Sequence, residues 1–286
     1  MDYNYHTHTK YCNHATGEME DYVKQAIAGG IRYMGFSEHS PFRFPDGFET
    51  AYHRIFIKDV PTYLAECNRL KEVYKEQLDL KIGYEMEFYP LYFKDMLKMA
   101  LDFDAEYLIL GQHYLQNEYP NGYPSGVPTE SEETLKEYVE CVLAGMKTGV
   151  FSYVAHPDFV NYRGSNDELY EKEMEKICLA SKELNIPLEL NFGGARCNEN
   201  YPCDKFFKIA GRIGCPITFG MDAHSADAAF DEESLKLGMK MIKKHNLNYI
   251  GMPKLILLQE QKEAIIQKFK LDAVTLTTHK EKGESL

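Results

Sequence analysis

The chain has no run of about 18 consecutive apolar residues, the least a membrane-spanning helix needs, so no membrane segment is expected. It has no C-x-x-C pair. Its seven cysteines, Cys12, Cys67, Cys141, Cys178, Cys197, Cys203 and Cys215, are odd in number and scattered. That argues against a disulfide framework and against a zinc ribbon. It has no basic excess: 32 Lys and Arg stand against 44 Asp and Glu, a net charge of −12 with the ten histidines neutral. A surface that coats nucleic acid needs the opposite balance, so no nucleic-acid partner is expected. The opening residues, MDYNYHTHTK, hold neither a basic cluster nor an apolar stretch. No signal peptide is expected, and the cytoplasm is the expected compartment.

What is present is a core and a rhythm. Of 286 residues, 44% are hydrophobic, enough for a large core and too many for a disordered chain. Strands are predicted at 2–5, 32–36, 80–84, 107–110, 151–155, 187–190 and 216–219. Helices are predicted at 18–28, 58–77, 91–101, 130–147, 167–184, 203–213 and 225–245. Gly29-Gly30 stops the first helix, and Asn166 is placed to cap the fifth. In 58–77, Val60, Leu64, Cys67, Leu70, Val73 and Tyr74 follow the helical period. Seven β→α units in unbroken alternation imply an α/β fold with a parallel sheet or barrel. No linker interrupts them, so a single domain is expected over 1–286, with its core at about 1–250 and a C-terminal helix and tail at 251–286, frayed from Thr275. The segment 117–129, rich in Pro, Gly and Tyr, reads as a lid-like loop.

The polar residues fall where a β/α barrel places its chemistry, at the C-terminal ends of strands. Strand 1 is followed by His6, His8 and His14, strand 2 by Glu38-His39, strand 3 by Glu85 and Glu87. Strand 4 is followed by Gln112-His113, strand 5 by His156, strand 6 by Asn191 and Arg196, strand 7 by Asp222 and His224. Among the ten histidines only His53, His245 and His279 lie elsewhere, and these three read as ordinary. In His6-x-His8 the strand period of two turns both side chains to one face, and Asp222-x-His224 repeats the spacing. A carboxylate such as Glu85 can bridge two cations through its two oxygens. Imidazole-rich sites with few carboxylates suit Zn, Fe or Mn, and the choice among them stays open.

HTHTKYCNH at 6–14, SEHS at 37–40, GYE at 83–85, GQH at 111–113, AHP at 155–157 and GMDAH at 220–224 together resemble the PHP (polymerase and histidinol phosphatase) family. The order and spacing cover about residues 1–230. HPDFVNYRG and ELNFGGAR look most like the bacterial L-histidinol-phosphate phosphatases within it. The resemblance implies a distorted seven-stranded (β/α) TIM-like barrel with three divalent metal ions (Zn, Fe or Mn). It implies that His6, His8, Glu85 and Asp222 hold the first cation. Glu85 would bridge to a second, completed by His113 and His156, and His14, His39 and His224 would hold the third. Glu38 stands where many relatives carry Asp.

The expected activity is hydrolysis of a small phosphate ester, L-histidinol phosphate before others, in histidine biosynthesis. A hydroxide bridging two cations would attack phosphorus in line, with Asp222 orienting it. His39, or a water on the third cation, would protonate the leaving alkoxide. Arg163 and Arg196 would clamp the phosphate, because guanidinium matches phosphate bidentately; Arg43 is a lesser candidate. Glu87 shares a face with Glu85 and is a possible competing ligand. Cys12 reads as a packed loop thiol, and Tyr114 to Tyr123 could stack on an imidazole. Rival readings are a phosphoesterase of the same kind acting on another ester or nucleotide, a metal-dependent amidohydrolase, and a non-enzymatic metal-binding protein. The sequence carries no signal for oligomeric state.

Overall fold

Parallel strands covered on both faces are written as unbroken apolar runs. In the computed structural model, which describes residues 1–50 and 53–271, every residue of Tyr107–Leu110 is buried. Four strands lie side by side in parallel: β1 (Tyr3–Asn4), β2 (Tyr33–His39), β3 (Asp79–Met86) and β4 (Tyr107–Leu110). A small antiparallel hairpin, β5 (Tyr114–Leu115) and β6 (Tyr123–Pro124), follows. β7 (Leu188–Asn191), β8 (Pro216–Gly220) and β9 (Asn248–Tyr249) make a second parallel run.

Segment 151–155 joins the two runs. Val154 bridges Leu110 on one side and Leu188 on the other. Ala155 N donates to Leu110 O and Glu189 N to Val154 O, both at 2.9 Å. On the far flank Thr7 bridges Ala223, past the ends of β1 and β8. His8 N donates to Ala223 O at 2.9 Å and Ala223 N to His6 O at 3.3 Å. The result is an α/β fold on a curled parallel sheet.

The helices are α1 (Met19–Ala28), α2 (Val60–Tyr74), α3 (Phe93–Asp102), α4 (Glu132–Thr148), α5 (Asp167–Leu184), α6 (Phe192–Cys197), α7 (Asp204–Ile213), α8 (Glu232–His245) and α9 (Lys262–Phe269). α2 packs on β3, α4 on β4 and α5, α5 on α7, α7 on α8, and α3 meets α9. Asn166 caps α5 as expected, its side chain accepting from Leu169 N at 3.1 Å. Among the described residues no helix is long and apolar enough to cross a membrane.

Several elements differ from expectation. β2 and β3 run past their predicted ends and take His39 and Glu85 into the ladder. The fifth strand, predicted over 151–155, is reduced to the bridge at Val154, with hydrogen bonds from Ser152 N to Leu108 O and Ala155 N to Leu110 O, and the chain turns at His156 (φ 28°) just beyond. The helix predicted at 225–245 is a short 3-10 turn, Ala226–Ala229, and then α8, whose start is fixed by Asp231 accepting from Glu233 N at 3.0 Å. The lid-like 117–129 contains the second hairpin strand and is pinned from within by Glu118. α6 follows β7 at once and was not predicted; Asn191 caps it by accepting from Gly194 N. The tail from Thr275 lies outside the described residues, as does His279.

The floor beneath the strand ends is set by one tyrosine. Tyr107 reaches from β4 across Gly83 and Gly35, where a Cβ on either glycine would strike its ring, and its hydroxyl donates to Tyr5 O at 2.8 Å. Gly35→Ala should overpack this floor and cost about 1–3 kcal/mol. Urea denaturation reads the effect, and an unshifted midpoint would refute the account.

Candidate metal centre

The expected ligands come together at one end of the sheet. His6 and His8 follow β1 with their Nε2 atoms 3.2 Å apart. His39 ends β2 in direct register with Glu85 on β3. His113 follows β4, His156 follows the Val154 bridge, and Asp222 and His224 follow β8. His14 arrives from the turn after the 3-10 helix Lys10–Cys12. His156 (φ 28°) and Asp222 (φ 47°) hold left-handed backbone without being glycine, a strain of roughly 1–3 kcal/mol each that surrounding contacts must hold in place.

Glu85 is the hub. It is 1% exposed. Its Oε1 lies 2.7 Å from His156 Nε2 and 3.4 Å from His113 Nε2. Its Oε2 lies 3.3 Å from His8 Nε2, 3.3 Å from His39 Nδ1 and 3.5 Å from His6 Nε2. Asp222 Oδ1 sits 3.5 Å from His6 Nε2 and 3.4 Å from His8 Nε2. Two glycines clear the carboxylates: a Cβ at Gly111 would run into Glu85, and one at Gly193 would meet Asp222 Oδ2 at 2.5 Å.

Outer partners orient the imidazoles. His6 Nδ1 meets Glu189 Oε1 at 2.8 Å, and His113 Nδ1 meets Glu87 Oε1 at 2.9 Å. His14 Nδ1 reaches Cys12 O at 3.0 Å and His224 Nδ1 reaches Asp222 O at 3.2 Å. A carbonyl only accepts, so those two Nδ1 atoms carry the proton and both Nε2 atoms bear lone pairs. The two Nε2 atoms face each other at 2.9 Å. Two lone pairs so placed repel unless a positive charge is shared between them.

This donor set fits divalent cations. Glu85 Oε2 approaches three imidazoles yet makes no hydrogen bond among the described residues, and neither do the buried Nδ1 atoms of His8, His39 and His156. Buried polar atoms are rarely left this way without a functional reason. Ligand atoms of His6, His8 and Glu85, of His6, His156 and Asp222, and of His8, His39 and His224 fall within 4.8 Å of one another. His39 thus groups with His8 and His224 as well as lying beside His14. Nitrogen and carboxylate oxygen in this ratio suit zinc, iron or manganese.

Electrostatics divide the cluster. Burial opposes ionisation of Glu85, but His113, His6, His39 and His156 hold it well below the usual carboxylate range. Burial likewise opposes Asp222, and His6 with its neighbours holds it low. Burial pulls His6 down, and Glu189, Asp222 and Glu85 lift it well above the histidine range. His8 is also desolvated, and Asp222 and Glu85 lift it to about 9. The outer imidazoles go the other way. Burial and the charge on His8 push His224 down to about 3 and His39 well down. Burial raises the Cys12 thiol, which keeps it a packed thiol although it lies near His14 and His224.

A cavity of about 350 Å³ opens on the cluster, walled by Tyr114, Phe159 and Tyr201 and by His53. His53 is not the ordinary histidine that its sequence position implies. It stands 5.7 Å from the His39 ring and stacks on Tyr114, so it belongs to the mouth. A neighbouring cavity of about 930 Å³ shares His14, Tyr201, Asp222 and His224 and is bordered by Arg196. Arg196 Nη2 donates to Met221 O and to Asp222 O, the latter at 3.1 Å. Arg163 is not brought to the cluster: its Nε donates to Asn161 Oδ1 at 2.7 Å, beside a separate recess with Asp158 and Lys205. Arg43 pairs with Glu49 on the surface. Glu87 is an outer partner of His113, held by Arg54, rather than a rival of Glu85. Sequence reasoning missed Glu189 and Arg54. A lone acid inside the apolar run IPLEL signalled the first, and nothing signalled the second.

Comparison with known proteins finds the following relatives. The probable histidinol-phosphatase of Deinococcus radiodurans is 27% identical over 225 residues, covering 77% of this chain and 85% of that one. The histidinol-phosphatase of Lactococcus lactis is 27% identical over 240 residues, covering 79% and 84%. A crystal structure of histidinol phosphate phosphatase from Lactococcus lactis, complexed with zinc, L-histidinol and phosphate, superposes with a TM-score of 0.65 at 23% identity, covering 87% of this chain and 95% of that one. The family model for the PHP domain matches residues 4–193, most of the cluster included, and the chain belongs to the PHP domain family.

Proposed function

We propose that the chain is a metal-dependent phosphomonoester hydrolase that converts L-histidinol phosphate to L-histidinol and phosphate, a step of histidine biosynthesis. The observation that carries this reading is the buried Glu85 carboxylate ringed by five imidazoles, each with a ring nitrogen within 3.5 Å of it. The relatives named as histidinol-phosphatases support the choice of substrate. So does the cavity of about 350 Å³, which suits a small ester and has aromatic walls for a flat ring.

His6, His8, Glu85 and Asp222 would hold one cation, Glu85 with His113 and His156 a second, and His14, His39 and His224 a third. Bound divalent cations supply positive charge for the phosphoryl oxygens and a nucleophile available at neutral pH. Asp222 Oδ1 faces the same space as His6 and His8 and would orient an attacking water by accepting a hydrogen bond from it. His39 borders the cavity, where it could serve the leaving alcohol. Arg196, fixed to the carbonyls of Met221 and Asp222, lines the adjoining cavity of about 930 Å³, which shares Asp222 and His224 with the smaller one, and from there would clamp the phosphate. Arg163 lines a separate recess rather than either of these cavities.

The curled sheet reads as a distorted seven-stranded barrel: β1 to β4, the Val154 segment, β7 and β8, closing at Thr7–Ala223. Residues 1–286 read as one domain, because a single hydrophobic cluster runs from Tyr3 to Leu271.

Two outcomes are expected. At pH 7 His8 carries a proton that a cation must displace, so cation binding should release protons, and affinity should rise as pH climbs from 6 towards about 9. Calorimetry in buffers of different ionisation enthalpy reads this release, and pH-independent affinity would refute it. With metal loaded, histidinol phosphate should be turned over much faster than a generic aryl phosphate, and Arg196→Ala should cut kcat/KM roughly tenfold or more. Equal rates on both esters would remove the substrate assignment, and an unchanged kcat/KM would remove the clamp.

A further inference from the structure

A guanidinium sealed inside a protein is costly unless its donors are met. Arg54 is 1% exposed and among the largest fully buried side chains. Its Nε donates to both oxygens of Glu118 at 2.9 Å. Its Nη1 donates to Ser40 O at 2.7 Å, one residue beyond His39. Its Nη2 donates to Glu118 Oε2 at 2.7 Å and to Glu87 Oε2 at 2.5 Å. The other oxygen of Glu87 takes His113 Nδ1 at 2.9 Å, and His113 Nε2 then faces Glu85 at 3.4 Å. Glu118, between the hairpin strands, also receives Thr50, Tyr89 and His53.

We propose that Arg54 is a positioning residue for the metal centre: by gripping Glu87 Oε2 it aims Glu87 Oε1 at His113 Nδ1, so that His113 presents Nε2 to a cation and Glu87 stays out of the metal shell. The inference rests on the cation-binding reading above. Its chemistry follows from the carboxylate having two oxygens. A free Glu87, two residues along the strand from Glu85, would be a competing oxygen ligand. With one oxygen engaged by Arg54 and the other by an imidazole N–H, Glu87 is held on the Nδ1 side of His113, and turning to a metal would cost it one of these charge-assisted bonds. A carboxylate behind a ligating histidine fixes the ring's tautomer and raises its basicity. The second carboxylate, Glu118, accepts from the Nε and Nη2 donors of Arg54 and ties the β5–β6 hairpin to the same joint.

The test compares wild type, Glu87→Gln, Arg54→Met and Arg54→Lys by cobalt(II) titration against a chelator, by the visible spectrum of the cobalt-loaded protein, and by imidazole nitrogen NMR of the metal-free protein. Glu87→Gln keeps the shape but turns an amide NH2 towards one of two donors. It should weaken one cobalt ion about tenfold to a hundredfold, alter that ion's spectrum and leave the others unchanged. Arg54→Met should do the same and mix the His113 tautomers, and Arg54→Lys should not rescue, since an ammonium lacks the planar fork that spans two carboxylates. If Arg54→Met does not fold, Glu87→Gln decides. Wild-type affinity, spectrum and tautomer in Glu87→Gln overturn the proposal, and so does an equal loss of all cobalt ions in Arg54→Met. A wild-type chain that binds no cobalt overturns the cation reading instead, and the tautomer measurement still tests the relay.

Discussion

A carboxylate with almost no access to water needs positive charge close by, and the structure is arranged around meeting that need at Glu85. Five imidazoles approach it within 3.5 Å. They arrive from beyond β1, from the end of β2, from beyond β4 and from the Val154 segment. Parallel register puts His39 opposite Glu85, and the missing side chain of Gly111 makes room for the carboxyl group. Behind the imidazoles stand two more buried acids, Glu189 and Glu87, which hold rings rather than cations. The site is therefore layered: inner carboxylates draw charge inward, and outer ones decide which nitrogen of His6 and of His113 points there.

The layering explains why the imidazoles behave differently. Those caught between carboxylates are held charged in the metal-free chain, and those nearer the mouth are held neutral. The same pocket can be neutralised by protons or by metal, and the two compete. Local backbone strain at His156 and Asp222 has the same origin. Each must leave its strand sharply enough to turn a side chain back into the ring, and the hydrogen bonds around it hold the turn.

Much of this was legible in the sequence because strand periodicity is strict. His6-x-His8 and Asp222-x-His224 place pairs on one face whatever the surroundings, and strand ends converge in any curled parallel sheet. Cluster membership was thus readable, and Asn166 as a cap was readable for a similarly local reason. What failed depended on distant packing. Arg54, Glu118 and His53 lie in irregular segments with no period, and only the folded loops bring them together. Arg163 sits in the right segment, but Asn161 turns it to another recess. The short α6 was missed because its glycines argue against a helix until Asn191 caps it.

The seam between Thr7 and Ala223 has a consequence for how the molecule is made. Tyr3 and Thr218, hydrogen-bonded beside it, are 215 residues apart in the chain. Contacts of that separation form late, because the entropy of closing the intervening chain must be met before they return anything. His6, His8, Asp222 and His224 all flank this seam. The centre is therefore complete only where the residues after β1 meet those after β8. A cation held there would rivet the segment after β1 to the segment after β8.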